Sequence, residues 1–175
     1  RPVMMTAMGM DAKAGYTAVV NLLEFVTATR NWSLARDYTA AIKKAYPDPS
    51  DTVLGQKIKY LTAFVDIESG DQMERGANTL ERVIKQDPLS AEALILLARY
   101  RAKKQRYEEA IMMLEQASRV EGHAYSAQVE LAKVCVSTGR YSAALGHLDK
   151  ALKISSTEEL LTYREAIRNL SEASE

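Results

Sequence analysis

Apolar residues recur at steps of three and four along almost the whole chain, the period of helices with one buried face. Val19, Leu22, Leu23 and Val26 predict a helix over 16–29. Asn31 and Trp32 break that pattern, and Leu34, Ala35, Tyr38 and Ile42 carry a second inward face over 33–45. Pro47, Asp48, Pro49, Ser50 and Asp51 then stop the helix. Leu54, Ile58, Leu61 and Val65 predict a helix over 52–68, and Ser69, Gly70 and Asp71 a turn. Met73, Ala77, Leu80, Val83 and Ile84 predict its partner over 72–86, closed by Asp87 and Pro88. Ser90 stands where an N-cap belongs. The same alternation continues over 91–104, 107–120, 125–137 and 141–154, with Gly139 suited to a left-handed turn. Ser156, Thr157, Glu158 and Glu159 fit a capping box that opens a last helix to about 170. Leu160, Tyr163, Ile167 and Leu170 line one face of it, and charged residues mostly the other. Residues 1–14, with Met4, Met5 and Met8, read as the remnant of a preceding helix covering the end of the core. The alternative is an arm laid on a neighbouring molecule.

The helices come in pairs, and the pairs repeat. Leu97 aligns with Leu131, Ala98 with Ala132, Arg106 with Arg140 and Tyr107 with Tyr141; Ala110, Leu114 and Ala117 align with Ala144, Leu148 and Ala151. Every step is 34 residues, as in 131 − 97. A fixed period of this size holding two helices is the mark of a helical solenoid. The frame runs backwards to place Pro88, Leu80 and Gly76 opposite Gly122, Leu114 and Ala110. Pro47 and Pro88 are 41 apart (88 − 47), so an insertion falls near 50–56. The small residues have a physical purpose, since they let two helix axes approach to about 8–10 Å. The expected organisation is an arm at 1–14, repeats at about 16–49, 57–90, 91–124 and 125–156, and a capping helix and tail at 157–175.

The motif Arg-Tyr-x-x-Ala-x-x-x-Leu-x-x-Ala stands at 106–117 and again at 140–151, and Leu97-Ala98 and Leu131-Ala132 form a leucine–small pair on the first helix. With the closing prolines Pro47 and Pro88, these residues resemble the tetratricopeptide repeat family. The chain departs from that pattern in places. Leu94 and Gln128 replace the family's first-helix tryptophan, and Arg101 and Cys135 its first-helix tyrosine. The resemblance implies an all-α solenoid of about four antiparallel helix-pair repeats with a C-terminal capping helix. It also implies that the first helix of each pair lines a concave groove.

Charge narrows the partners. The 175 residues carry 23 basic and 23 acidic side chains, so nucleic acid and anionic membranes are not expected. No apolar run is long enough to span a bilayer. One cysteine, Cys135, cannot form an internal disulfide, which suits a reducing, cytoplasmic setting. The start at Arg1 leaves a removed leader, an anchor or a missing domain open. His123 and His147 have no partners at metal-ligand spacing, so no metal or other cofactor is expected, and Cys135 reads as a buried small hydrophobe. The cluster Arg99, Arg101, Lys103, Lys104 and Arg106 reads first as cations favouring a helix C-terminus.

In the frame of the resemblance, the groove side of successive first helices carries Glu24, Val65, Arg99 and Lys133, with Lys103 nearby. Arg99 and Lys133 are aligned and form a short basic ladder suited to carboxylates. No asparagine stands among these positions, which speaks against a clamp for chain-terminal carboxylates. The expected function is a non-catalytic module or scaffold binding a peptide or protein, with an acidic segment the best match. The alternatives are a self-assembling homo-oligomeric scaffold and the adaptor region of a longer protein.

Overall fold

The computed structural model describes residues 12–45 and 53–173. Among these residues there are nine helices and no strand. They are α1 (Ala12–Ala28), α2 (Trp32–Ala45), α3 (Val53–Glu68), α4 (Met73–Gln86), α5 (Ala91–Lys103), α6 (Tyr107–Ala117), α7 (Ala124–Ser137), α8 (Tyr141–Ile154) and α9 (Glu158–Glu172). The methionine residues of the arm and the proline-rich stop at 47–51 lie outside the described residues. Helix α1 starts at Ala12, earlier than the expected 16, and α6 ends at Ala117, short of the expected 120. Past Ala117 the amides of Arg119 and Val120 donate three residues back, to Gln116 and Ala117, and Gly122 turns left-handed at φ 77°. Three-residue bonds tighten the last turn and end the helix.

The chain forms two compact units, Arg1–Gln86 and Asp87–Glu175. In the first, α3 packs on α1, α2 and α4. Val19, Val20, Leu23, Ile42, Ile58 and Leu61 form one buried cluster, and Val26, Ala35 and Val65 another. The rings of Trp32 and Phe64 pack tilted, centroids 6.0 Å apart. Helix α4 lies so close to α3 that Gly76 has no room for a side chain. A Cβ there would stand 2.8 Å from the Ala63 carbonyl oxygen and 2.8 Å from Ile67 Cγ1. Leu34 faces outward, 38% exposed, against the expectation of an inward residue; Ala35, Thr39 and Ile42 carry the buried face of α2 instead.

In the second unit every aligned leucine and alanine pair of the 34-residue period is buried, and Tyr107 and Tyr141 are partly buried. Leu97 and Leu131 are each 1% exposed, and Ala98, Ala110, Leu114 and Ala117 with their partners Ala132, Ala144, Leu148 and Ala151 are all at 0%. Ala98, Ala110, Leu114, Leu131 and Val134 form one cluster. Ala132, Cys135, Ala144, Leu148 and Ala151 form the next with Leu160 and Ile167 of α9. Leu160, Tyr163 and Ile167 of the apolar face expected on α9 pack on this cluster, whereas Leu170 is 46% exposed.

The same turn closes α5 and α7. The Arg106 amide donates to the Arg101 carbonyl at 2.9 Å, and that of Arg140 to Cys135 at 2.8 Å. The residue before each donor is left-handed, Gln105 at φ 61° and Gly139 at φ 71°. This is the Schellman arrangement, which satisfies the last carbonyls of a helix. At the start of α9, Thr157 Oγ1 accepts from the Leu160 amide at 3.2 Å, so the cap falls one residue after Ser156, the first residue of the expected capping box, and Leu160 rather than Glu159 stands at the third helical position. Ser90 occupies the N-cap of α5, but its hydroxyl makes no capping bond. Its amide instead donates to Asp87, and the Asp87 carboxylate accepts from the Leu89 amide, so Asp87 organises that turn.

Candidate functional site

Three of the five expected groove residues come together in the second unit. Helix α5 presents Arg99, Ala102 and Lys103, and α7 presents Glu130, Lys133, Val134 and Ser137. Spacings of three, four and seven put each set on one helical face. The two faces border a cavity of about 240 Å³, with Leu114 of α6 at its base. Its walls therefore hold three cations, one carboxylate and an apolar floor of Ala102, Leu114 and Val134. Glu130 Oε1 lies 2.8 Å from Lys133 Nζ. The Glu130 side chain is 18% exposed and that of Lys133 53%. Glu130 also acts beyond the cavity: burial raises the Tyr163 hydroxyl above its ordinary pKa, and the charge of Glu130 adds to the rise.

The remaining two candidates do not belong to this cavity. Val65 is fully buried between Val26 of α1 and Ala35 of α2, so its expected place on a groove surface is corrected to the core. The reason is the crowding of α3, which is covered by α1, α2 and α4. Glu24 is in the first unit, on the surface of α1, with Lys57 Nζ 3.7 Å away.

The basic cluster at the end of α5 divides by function. Arg99 and Lys103 line the cavity. Arg101 and Arg106 both reach Glu109, at 3.6 and 2.5 Å, and Lys104 lies 5.8 Å from the centre of the Tyr100 ring. Sequence reasoning missed Glu130, Val134 and Ser137. Their signal is simple, since they share the helical face of Lys133.

A larger cleft of about 420 Å³ lies in the first unit, bordered among others by Arg36, Lys43, Asp66, Asp71 and Arg75. Its charges are turned on one another. Lys43 Nζ donates to both oxygens of Asp66, at 2.6 and 2.8 Å, and Arg36 pairs with Asp71. Asp66 is 8% exposed, and Lys43 supplies the partner that a covered carboxylate requires.

The lone chemistry-bearing side chains have structural surroundings. Cys135 is buried, and burial pushes its thiol pKa up, against the opposing pull of Arg140. A protonated thiol in an apolar cluster is a packing group. His147 Nδ1 lies 2.7 Å from Gln128 Oε1, and burial, then Lys150, push its imidazole pKa down. Gln128 thus fills the place of the missing tryptophan with a hydrogen bond to the neighbouring helix. Among the described residues no group of three or more histidine, cysteine and carboxylate side chains is placed to hold a metal. No helix among them is long and apolar enough to cross a membrane.

Two models of the tetratricopeptide repeat match the chain, one over residues 101–160 and one over 68–112. Together they reach from 68 to 160, more than half of the chain. The chain belongs to the tetratricopeptide repeat family. No curated protein matches it. Among solved structures, a chain of the APC/C hetero-tetramer Cut9-Hcn1 is similar at a TM-score of 0.70 and 16% identity, over 90% of this chain and 29% of that one. This chain therefore spans less than a third of that relative's length. A thermophilic tetratricopeptide repeat protein of Thermus thermophilus is similar at 0.65 and 17% identity, over 89% of both chains. The MamA protein is similar at 0.63 and 16% identity, over 90% of this chain and 85% of that one. The fold is thus an all-α solenoid of helix-pair repeats, the architecture of protein–protein interaction and scaffold modules. Members of the family are typically non-catalytic.

Proposed function

We propose that this tetratricopeptide repeat chain is a non-catalytic binding module that holds an acidic segment of a peptide or protein partner in the cavity between α5 and α7. One observation carries the reading: Arg99, Lys103 and Lys133 converge over an apolar floor. Among the described residues Lys103 has no ion-pair partner, so at least one cation of the rim is available to a ligand. Arginine offers a carboxylate two parallel donors, and lysine a mobile third. Preformed helices hold these donors in place, so little ordering entropy is lost by the protein on binding.

A displayed peptide library, selected on the wild type and on an Arg99→Glu, Lys133→Glu double variant of equal helicity, tests this reading. Enrichment of acidic sequences by the wild type alone is expected. Equal enrichment by both proteins overturns the placement of the site.

A further inference from the structure

Most of the charge around the cavity between α5 and α7 is already in use. Glu130 Oε1 holds Lys133 Nζ at 2.8 Å, and Arg99 has an interaction of its own within the protein. Ser137 is satisfied too, its hydroxyl donating to the Lys133 carbonyl at 3.0 Å. Lys103 is the cation of this rim that stands exposed with no ion-pair partner among the described residues. The floor has a different character. Leu114 and Val134 are buried and Ala102 is half-buried, and none of the three has a polar side-chain atom. The cavity also has a size limit. At about 240 Å³ it is smaller than the roughly 300–1,000 Å³ of sites that enclose whole small molecules, so it takes side chains of a longer segment.

We infer that an aliphatic side chain, and not the carboxylate, anchors the bound segment: it fills the floor of Ala102, Leu114 and Val134, while Lys103 holds one neighbouring carboxylate at the rim. The inference rests on the proposed function above and narrows its ligand from an acidic segment to an aliphatic–acidic one. An aliphatic group entering the cavity breaks no hydrogen bond or ion pair of its walls and removes its own surface from water. It also gives the floor the contact atoms that an open space lacks. Magnitudes rank the two contacts. Covering a leucine-sized side chain is worth about tenfold or more in affinity. An ion pair with an exposed lysine is worth about twofold to fivefold, because water screens it. A second carboxylate at this rim would have to displace Glu130 from Lys133, so the site is matched to one.

A heptapeptide blocked at both ends, Leu-Glu-Glu-Leu-Glu-Glu-Leu, presents aliphatic and acidic side chains at several spacings and serves as the probe. One twin has alanine for every leucine, and the other has glutamine for every glutamate. Fluorescence anisotropy is measured with the wild type, Lys103→Gln, Ala102→Leu and, as a control, Lys104→Gln. Lys104 lies beside the Tyr100 ring and does not line the cavity, so its loss changes net charge as Lys103→Gln does without touching the site. The wild type is expected to lose about tenfold or more on the alanine twin and about twofold to fivefold on the glutamine twin. Ala102→Leu, which fills the floor from within, should weaken the parent peptide and the glutamine twin alike, by about tenfold. Lys103→Gln should weaken the parent about twofold to fivefold and leave the glutamine twin unchanged, and Lys104→Gln should match the wild type. Thermal melts of the four proteins separate misfolding from altered recognition, and Ala102→Met repeats the test if Ala102→Leu is unstable. An alanine twin bound as tightly as the parent, or a parent peptide indifferent to Ala102→Leu, overturns this inference and leaves the proposed function standing. A glutamine twin bound as tightly as the parent overturns the acidic reading itself, and failure of the parent to bind the wild type overturns both.

Discussion

Val65 in the first unit and Arg99 and Lys133 in the second hold the same place in the repeat frame, yet they have opposite fates. Val65 is at 0% exposure between two helices, whereas Arg99 and Lys133 border an open cavity. The two clefts differ in the same way. In the first unit the cations Lys43 and Arg36 are spent on Asp66 and Asp71, while in the second Lys103 borders the cavity with no ion-pair partner among the described residues. A repeat position fixes where a residue stands on its helix. The neighbours of that helix decide whether the position is core or surface, and α3, with α1, α2 and α4 against it, has little surface left.

Placing a charge at the two equivalent positions tests this contrast most severely. Val65→Asp buries an unpaired carboxylate and should cost about 3–5 kcal/mol. Lys133→Asp, at an exposed site, should cost under about 1 kcal/mol. Urea unfolding measures both, and similar losses would show that the two positions do not differ as described. The helix crossings offer a second, smaller contrast. Alanine is the better helix former by about 1 kcal/mol, but Gly76→Ala drives a Cβ into the α3 backbone and should lose about 1–3 kcal/mol overall. Ala110→Gly, at the aligned position in the second unit, removes a buried methyl and helix propensity and should lose about 1–2 kcal/mol. A stabilised Gly76→Ala protein would mean that α3 and α4 are less closely packed than the structure has them. The smallest effect belongs to the two matching turns. Gln105 bears a left-handed conformation that Gly139 adopts freely, so Gln105→Gly should gain about 0.5–1 kcal/mol. Gly139→Ala should lose about 1 kcal/mol in the same denaturation assay. A loss on Gln105→Gly would show that its side chain contributes more than the backbone strain costs.

Much of the helix plan is legible from spacing alone. The apolar face of α7 and α8 and the left-handed Gly139 follow from residue type and period, because each depends on contacts within a few residues or on one regularly placed neighbour. Leu34 and Leu170 escape that reading for a related reason: an apolar residue at the right step is buried only if another element reaches it, and none covers them enough. The basic ladder is half legible. Its alignment falls out of the 34-residue period, and Lys103 needs only proximity, whereas Glu130 goes unnoticed in the sequence although it shares the face of Lys133.

The amino-acid sequence by itself determined that the chain is helical, where its helices pair, and that it belongs among tetratricopeptide repeats, since periodic burial and small residues at helix crossings are written one repeat at a time. Only the tertiary structure decided that Val65 is core, that Asp66 is neutralised by Lys43, and that Arg99, Lys103, Glu130 and Lys133 share one cavity. Those outcomes depend on which helices cover a given face and on where long side chains find opposite charge, and neither is encoded in the spacing of any one helix.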